Sequence, residues 1–256
     1  MKQYAGYIFD LDGTIYRGSR LIPGADAALA RLRARGARII FLSNNPVRDR
    51  DRYVEKIRAL GISCALEEIL NSSYVLTEEL KREAPGARLY VVGEASIKRE
   101  LQAAGFRFAA SPEETDIVVL AFDRTFHYGK LAFAHEALKR GAQLWATNPD
   151  RACPTDNGDI PDCGAIIAAV ETCSGRKLDR MTGKPSATMV RVAAQRLGLP
   201  IAQCLIVGDR LETDMLMARE AGCDSALVLT GITSPEMLKD SPIQPTYVLK
   251  SVAELA

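Results

Sequence analysis

The stretch YIFDLDGTIY, Tyr7 to Tyr16, runs three apolar residues into two carboxylates, Asp10 and Asp12. In an extended segment residues two apart point the same way, so a strand that keeps its direction to Asp12 brings both carboxylates to one spot. Crowded carboxylates repel, and a cation resolves the repulsion. Hard divalent ions such as Mg2+ take oxygen ligands and keep several waters. Gly13 permits a tight turn, whose N–H groups at Gly13 and Thr14 are then expected to face an anion.

Three further stretches supply matching chemistry. IIFLSNNP ends an apolar run at Ser43, followed by Asn44. TGKP sets Lys184 just ahead of a helical pattern, SATMVRVAAQRLG. CLIVGDRLETD ends an apolar run with Asp209 and adds Asp214 shortly after. Each lies where a strand hands over to a loop, and in open parallel sheets the ligand crevice lies outside those strand ends. One site would then gather Asp10, Asp12, Asp209 and Asp214 for a metal, with Ser43 and Lys184 for an anion. Metal, lysine and hydroxyl together form a phosphate-binding set. A carboxylate nucleophile beside them implies an aspartyl-phosphate intermediate.

The elements that must carry these residues alternate along the chain. Short apolar runs (YAGYIF, ARIIFLSN, RLYVVG, TDIVVLAFD, QCLIVGD) are separated by amphipathic ones such as GADAALARLRARG, with Ala28, Leu29 and Leu32 on one face. Gly36 and Gly61 stand where helices should close. Strand–helix alternation implies crossover units and a parallel α/β sheet. Asn148 to Gly164, rich in proline and poor in large apolar residues, reads as a long loop.

Composition sets the boundaries. The 256 residues are 47% hydrophobic and 25% charged, with a formal net charge of +1, which gives no nucleic-acid footprint and no polybasic membrane patch. The N-terminus lacks a signal-peptide pattern, and the longest apolar run, IVVLAF, is far short of a membrane span, so a cytoplasmic location is expected. The six cysteines then read as reduced thiols, without zinc spacing. The two histidines, His127 and His135, receive no chemical role.

DLDGT, SNN, GKP and GDRLETD, in that order, resemble the haloacid dehalogenase superfamily of phosphatases. The resemblance implies a doubly wound, Rossmann-like core. It implies Asp10 as the nucleophile and Asp12 as the general acid and base, with the Asp12 backbone carbonyl also touching the metal. Ser43 and Asn44, with Gly13 and Thr14, would bind phosphoryl oxygens, and Lys184 would hold the phosphate against Asp10. Asp10 and Asp209 would ligate Mg2+, with Asp214 supporting them from behind. Asp12 argues against a dehalogenase, which lacks an acid at that place.

AFDRTFHYGKL, ATNPD and GDRLETD resemble, more narrowly, the NagD and 4-nitrophenyl phosphatase subgroup, which also includes phosphoglycolate and pyridoxal phosphate phosphatases. Pro46, Asp162 and Cys163 depart from its usual pattern. The insertion between SNN and Lys184 carries its own strand–helix pattern, which places the core at 1–78 and 182–256 and a smaller α/β cap domain at 79–181. The core recognises the phosphoryl group, so substrate choice is expected from the cap, with Asn148, Asp150, Arg151 and Cys153 as candidates. The expected activity is Mg2+-dependent hydrolysis of phosphate monoesters of small metabolites: sugar phosphates, nucleotides, phosphoglycolate or similar. The expected partners are a small phosphorylated metabolite and a second copy through the cap, with no nucleic acid and no membrane. Two alternatives are a receiver-type phosphoacceptor module, disfavoured by the insertion, and a catalytically silent family member that binds a phosphometabolite as a scaffold.

Overall fold

Apolar runs become strands and amphipathic runs become helices, in a computed structural model that describes residues 1–45, 49–155 and 158–255; Pro46 lies outside them. In chain order the strands are β1 (Gly6–Asp10), β2 (Tyr16–Arg17), β3 (Arg20–Leu21), β4 (Arg38–Ser43), β5 (Ile69–Asn71), β6 (Arg88–Val92), β7 (Arg107–Phe108), β8 (Ile117–Leu120), β9 (Gln143–Ala146), β10 (Ala152–Thr155), β11 (Gly158–Pro161), β12 (Arg180–Met181), β13 (Cys204–Gly208), β14 (Asp224–Val228) and β15 (Tyr247–Leu249). The helices are α1 (Ala25–Ala34), α2 (Arg50–Ala59), α3 (Ser72–Glu83), α4 (Ala95–Ala103), α5 (Tyr128–Lys139), α6 (Cys163–Ser174), α7 (Ala187–Leu197), α8 (Leu216–Ala221) and α9 (Pro235–Lys239).

The chain forms two compact units. The first comprises Met1–Ser43, Arg50–Leu70 and Lys184–Ala256. Its sheet has the order β15-β14-β13-β1-β4-β5. β1 pairs in parallel with β4 on one side (Asp10 opposite Leu42) and with β13 on the other (Phe9 opposite Val207). Successive strands run outward from β1 to β5, and the chain then returns to β13 and runs outward the other way. That reversal makes the sheet doubly wound and puts its switch point beside β1, where a ligand crevice belongs. Tyr7, Phe9, Phe41, Leu205 and Val207 are buried in one core with Leu29 and Leu32 of α1 and Ile57 of α2. Buried on both faces, these strands need near-continuous apolar sequence, as β1 and β4 have.

The second unit comprises Asn44–Asp49 and Asn71–Gly183. Its five-stranded sheet, β12-β9-β8-β6-β7, pairs in parallel throughout. Alternate residues of β8 feed opposite faces: Ile117 and Val119 meet Leu76 and Leu80 of α3 and Ile97 and Leu101 of α4, while Val118 and Leu120 meet α5 and α6. This packing of α3 places the start of the unit at Asn71, ahead of a boundary at 79.

The segment expected to be one long loop differs. It folds into an antiparallel hairpin, with Cys153 opposite Ile160 and Ala152 opposite Pro161, and Cys163 and Gly164 already belong to α6. Prolines obscure such strands in the sequence, yet a two-stranded ribbon tolerates them because each strand is an edge. His127 caps α5, its Nδ1 accepting from the Gly129 N–H at 3.1 Å. No disulfide joins any of the six cysteines. Among the described residues no helix is long and apolar enough to cross a membrane.

Phe41 is fully buried against Phe9, their ring centroids 6.2 Å apart. Phe41→Ala should lower unfolding stability by about 3–5 kcal/mol, read from the urea midpoint of the first unit's transition. A change below about 1 kcal/mol would contradict the packing described.

Candidate active site

The register of the first unit's sheet assembles the site. Asp10 ends β1; Leu42 is opposite it on β4, so Ser43 stands one residue further along; Gly208 ends β13 and Asp209 follows. Three of the anticipated residues thus share the carboxyl edge at the switch point. A π-helical turn, Leu211–Met215, then folds Asp214 back over that edge. Gly208 permits the approach, since a Cβ there would collide with the Asp214 carboxyl group.

Lys184 is buried and joins two of the acids. Its Nζ donates to Asp10 Oδ1 and, at 2.8 Å, to Asp214 Oδ1. Asp214 Oδ2 accepts the Arg210 N–H at 3.2 Å, so both its oxygens are engaged by the protein. Asp209 is buried as well; its Oδ2 accepts the Ile232 N–H at 2.8 Å, and its Oδ1 has no hydrogen-bond partner. Asp10, Asp209 and Asp214 each turn one oxygen into a cluster whose members lie within 4.8 Å of one another.

The charges explain the titration. Burial pushes the Asp10 carboxyl up to about 7, against the pull of Lys184 and with repulsion from Asp214 and Asp209 adding to the rise. Burial also raises Asp209 to about 6, helped by repulsion from Asp214 and opposed by the Ile232 N–H. For Lys184, burial works against the charge, but Asp10 and Asp214 outweigh it and hold the ammonium above its ordinary value.

Other anticipated residues are placed differently. β1 ends at Asp10, so the strand direction does not persist to Asp12, whose exposed side chain sits in the turn that follows and is not one of the three clustered acids. The Gly13 N–H donates to the Tyr16 carbonyl at 2.7 Å and the Thr14 N–H to the Leu11 carbonyl at 3.3 Å. The expected anion contact from these two groups is thus replaced by turn hydrogen bonds. Gly13 is still required, with φ +89° and the Asp209 carboxylate where a Cβ would be.

Ser43 Oγ is 2.9 Å from the Tyr53 hydroxyl, a partner that the sequence did not reveal. Also unanticipated is the loop after β14. Gly231 leaves room for the Asp209 carboxylate, Ile232 bonds it, and Thr230 Oγ1 donates to the Gly13 carbonyl at 2.6 Å. The small residues of TGIT, directly after an apolar run, are the signal that marks it.

In the second unit, Asn44 Nδ2 donates to Asp150 Oδ2 at 3.0 Å. Asn148 is fully buried and donates to Asp150 Oδ2 at 3.0 Å and to Asp162 Oδ1 at 3.3 Å. Asp162 caps α6. Asn148 is thus part of the scaffold of the hairpin base, and it is Arg151 that is exposed. Cys153 Sγ lies 3.9 Å from Asn45 Nδ2.

A doubly wound sheet with acids and a buried lysine at its switch point is suited to binding a phosphoryl group, and the comparisons with known proteins give the class. Residues 7–107 match the family model of haloacid dehalogenase-like hydrolases, and residues 181–255 match a HAD-hydrolase-like model. The chain is 37% identical over 251 residues to the sugar phosphatase AraL of Bacillus subtilis, covering 98% of this chain and 92% of the relative. It is 32% identical over 254 residues to the 5'-nucleotidase YutF of the same organism, covering 99% and 98%. A solved 4-nitrophenylphosphatase from Thermotoga maritima superposes with a TM-score of 0.92 at 35% identity, covering 98% of this chain and 96% of that one. NagD from E. coli K-12 gives a TM-score of 0.92 at 30% identity, covering 100% and 99%. The chain belongs to the haloacid dehalogenase-like hydrolases. Within them it is a phosphatase of the NagD and 4-nitrophenyl phosphatase group.

The raised carboxyls set a pH dependence. Below about 3.8, where an unfolded Asp is also protonated, their contribution to stability is fully present; it is lost as pH rises through 6 and then 7. Binding of a divalent cation needs the same carboxyls deprotonated, so the rise in Tm on adding Mg2+ should be small near pH 5 and several times larger near pH 8. Thermal melts with Mg2+ and with chelator at both pH values check this; an equal rise at both would contradict it.

Proposed function

We propose that this phosphatase hydrolyses phosphate monoesters of small metabolites with Mg2+, through an aspartyl-phosphate formed on Asp10. The observation that carries the reading is the buried Lys184 ammonium held between Asp10 and Asp214 beside the orphaned Asp209 Oδ1. Three carboxylates against one ammonium leave two negative charges at the sheet edge, and an all-oxygen set suits a hard dication. Asp10, Asp209 and the Asp12 carbonyl would hold Mg2+, with Asp214 anchoring Lys184 behind them; the ion would offset the negative charge of the phosphoryl oxygens.

The chain's own groups do the rest. Lys184 draws the dianionic phosphoryl group toward an anionic nucleophile and lowers their repulsion. Ser43 and Asn44 hold phosphoryl oxygens, with Gly13 and Thr14 shaping the turn beneath. The Asp10 carboxylate forms a bond to phosphorus while the ester oxygen leaves, taking a proton from Asp12. Asp12 then removes a proton from water, whose oxygen attacks phosphorus and releases phosphate from Asp10.

Exposure of Asp12 suits a group that must exchange protons in both steps. Arg151, also exposed, is assigned to a second anionic group on the substrate. The names of the relatives support sugar phosphates and nucleotides as the substrate class. The reading includes a cytoplasmic location and a homodimer formed through the second unit, which exposes the rings of Phe108 and Tyr128.

Wild type should hydrolyse 4-nitrophenyl phosphate with Mg2+ and stop with chelator, and Asp10→Asn should lose about a thousandfold or more in kcat. Full activity in Asp10→Asn would remove Asp10 as nucleophile. Phosphate binding without turnover in wild type would favour a silent, scaffold-type member instead.

A further inference from the structure

Asp150 is a carboxylate with two amide partners. Asn44 Nδ2 and Asn148 Nδ2 both donate to its Oδ2 at 3.0 Å. Both amides thus turn their NH2 groups toward the same carboxyl oxygen. The orientation of Asn148 is fixed a second and a third time. Its remaining N–H reaches Asp162 Oδ1 at 3.3 Å, and its own Oδ1 accepts the Thr147 hydroxyl at 2.7 Å. Thr147 and Asn148 are fully buried.

The backbone is held too. The Asp150 carbonyl accepts the Gly164 N–H at 2.8 Å, and a Cβ at Gly164 would crowd the carbonyls of Pro149 and Asp150. On the other side of the pair, the Asn44 carbonyl accepts Ser72 Oγ at 2.6 Å, and a Cβ at Gly183 would come within 2.8 Å of Asn44 Oδ1. This network therefore holds the amide of Asn44, the residue that follows Ser43 in the chain.

We infer that Asp150 is a positioning residue for the phosphoryl group, acting through Asn44, and does not choose among leaving groups. The inference rests on the proposed phosphatase reading, in which Asn44 meets phosphoryl oxygens. A group every substrate shares is bound with the same loss whatever alcohol it carries, whereas a group that reads the alcohol changes the preference among substrates.

The test measures KM and kcat for 4-nitrophenyl phosphate, a sugar phosphate and a nucleoside monophosphate, with Ki for inorganic phosphate. It uses the full chain with Mg2+, as wild type, Asp150→Ala and Asp150→Asn, with melting curves alongside. Asp150→Ala should raise every KM and the phosphate Ki together, by about tenfold, with kcat/KM ratios between esters unchanged. Asp150→Asn keeps an acceptor oxygen for Asn44 and should recover much of that loss. An unchanged phosphate Ki with ester ratios shifted by several fold, in either variant, would overturn the inference. If Asp150→Ala fails to fold, Asp150→Ser, whose shorter side chain loses the contact to Asn44 Nδ2, decides by the same two readouts and should show the same parallel rise, since a purely structural defect would lower Tm without raising KM and Ki in parallel. A wild type that neither turns over esters nor binds phosphate would sink the phosphatase reading itself; turnover in wild type with unaltered constants in both variants would sink only this inference.

Discussion

The site depends on the ammonium of Lys184, buried between Asp10 and Asp214. Removing three carboxylates and a lysine from water is costly, and only close pairing with satisfied hydrogen bonds offsets it. Lys184 provides the pairing, the Arg210 and Ile232 N–H groups satisfy carboxylate oxygens, and Gly208 and Gly231 leave the room. Two negative charges remain uncompensated. Burial and mutual repulsion raise the Asp10 carboxyl to about 7 and the Asp209 carboxyl to about 6. In the proposed reading a dication would replace the protons on those carboxyls, which would link metal, pH and stability.

This charge arrangement is possible because of the topology around it. A doubly wound sheet delivers β1, β4 and β13 side by side with their carboxyl ends together. Asp10, Ser43 and Asp209 converge although the chain separates them widely. The apolar bodies of the same strands, Ile8, Phe9, Phe41 and Ile206, are buried. Strand interiors hold the fold, and strand ends are left for chemistry. The second unit repeats the architecture on a smaller scale. There the polar residues after β9 mostly bond one another, and the Asp150–Asn44 contact ties them to an amide far upstream in the chain.

Much of this was legible in the sequence because period and punctuation record it. β1, β4, β8 and β13 are continuous apolar runs, as strands buried on both faces must be, and α7 lies between Ser186 and Gly198, its cap residues. Asp10 and Asp209 were legible because charges at the end of buried strands have few other reasons to be there, and Lys184 because it stands just ahead of a clear helical pattern. What escaped depends on which hydrogen bonds close locally. Nothing in DLDGT says that the Gly13 N–H is consumed by Tyr16, or that the turn begins at Leu11. The hairpin at Ala152–Pro161 was hidden by prolines, and Asn148, polar and in a polar stretch, was buried by a network no residue type announces. Tyr53 lies in a helix whose pattern records only that it is inside.

The central claim is that Asp10 carries the phosphoryl group between ester and water. Rapid acid quench during turnover of 4-nitrophenyl phosphate, followed by mass spectrometry of the peptides, tests it directly. The account predicts an acid-stable, hydroxylamine-sensitive phosphoryl adduct on the peptide bearing Asp10, absent in Asp10→Asn. A wild type in active turnover with no adduct there, or with the adduct on another residue, would contradict it.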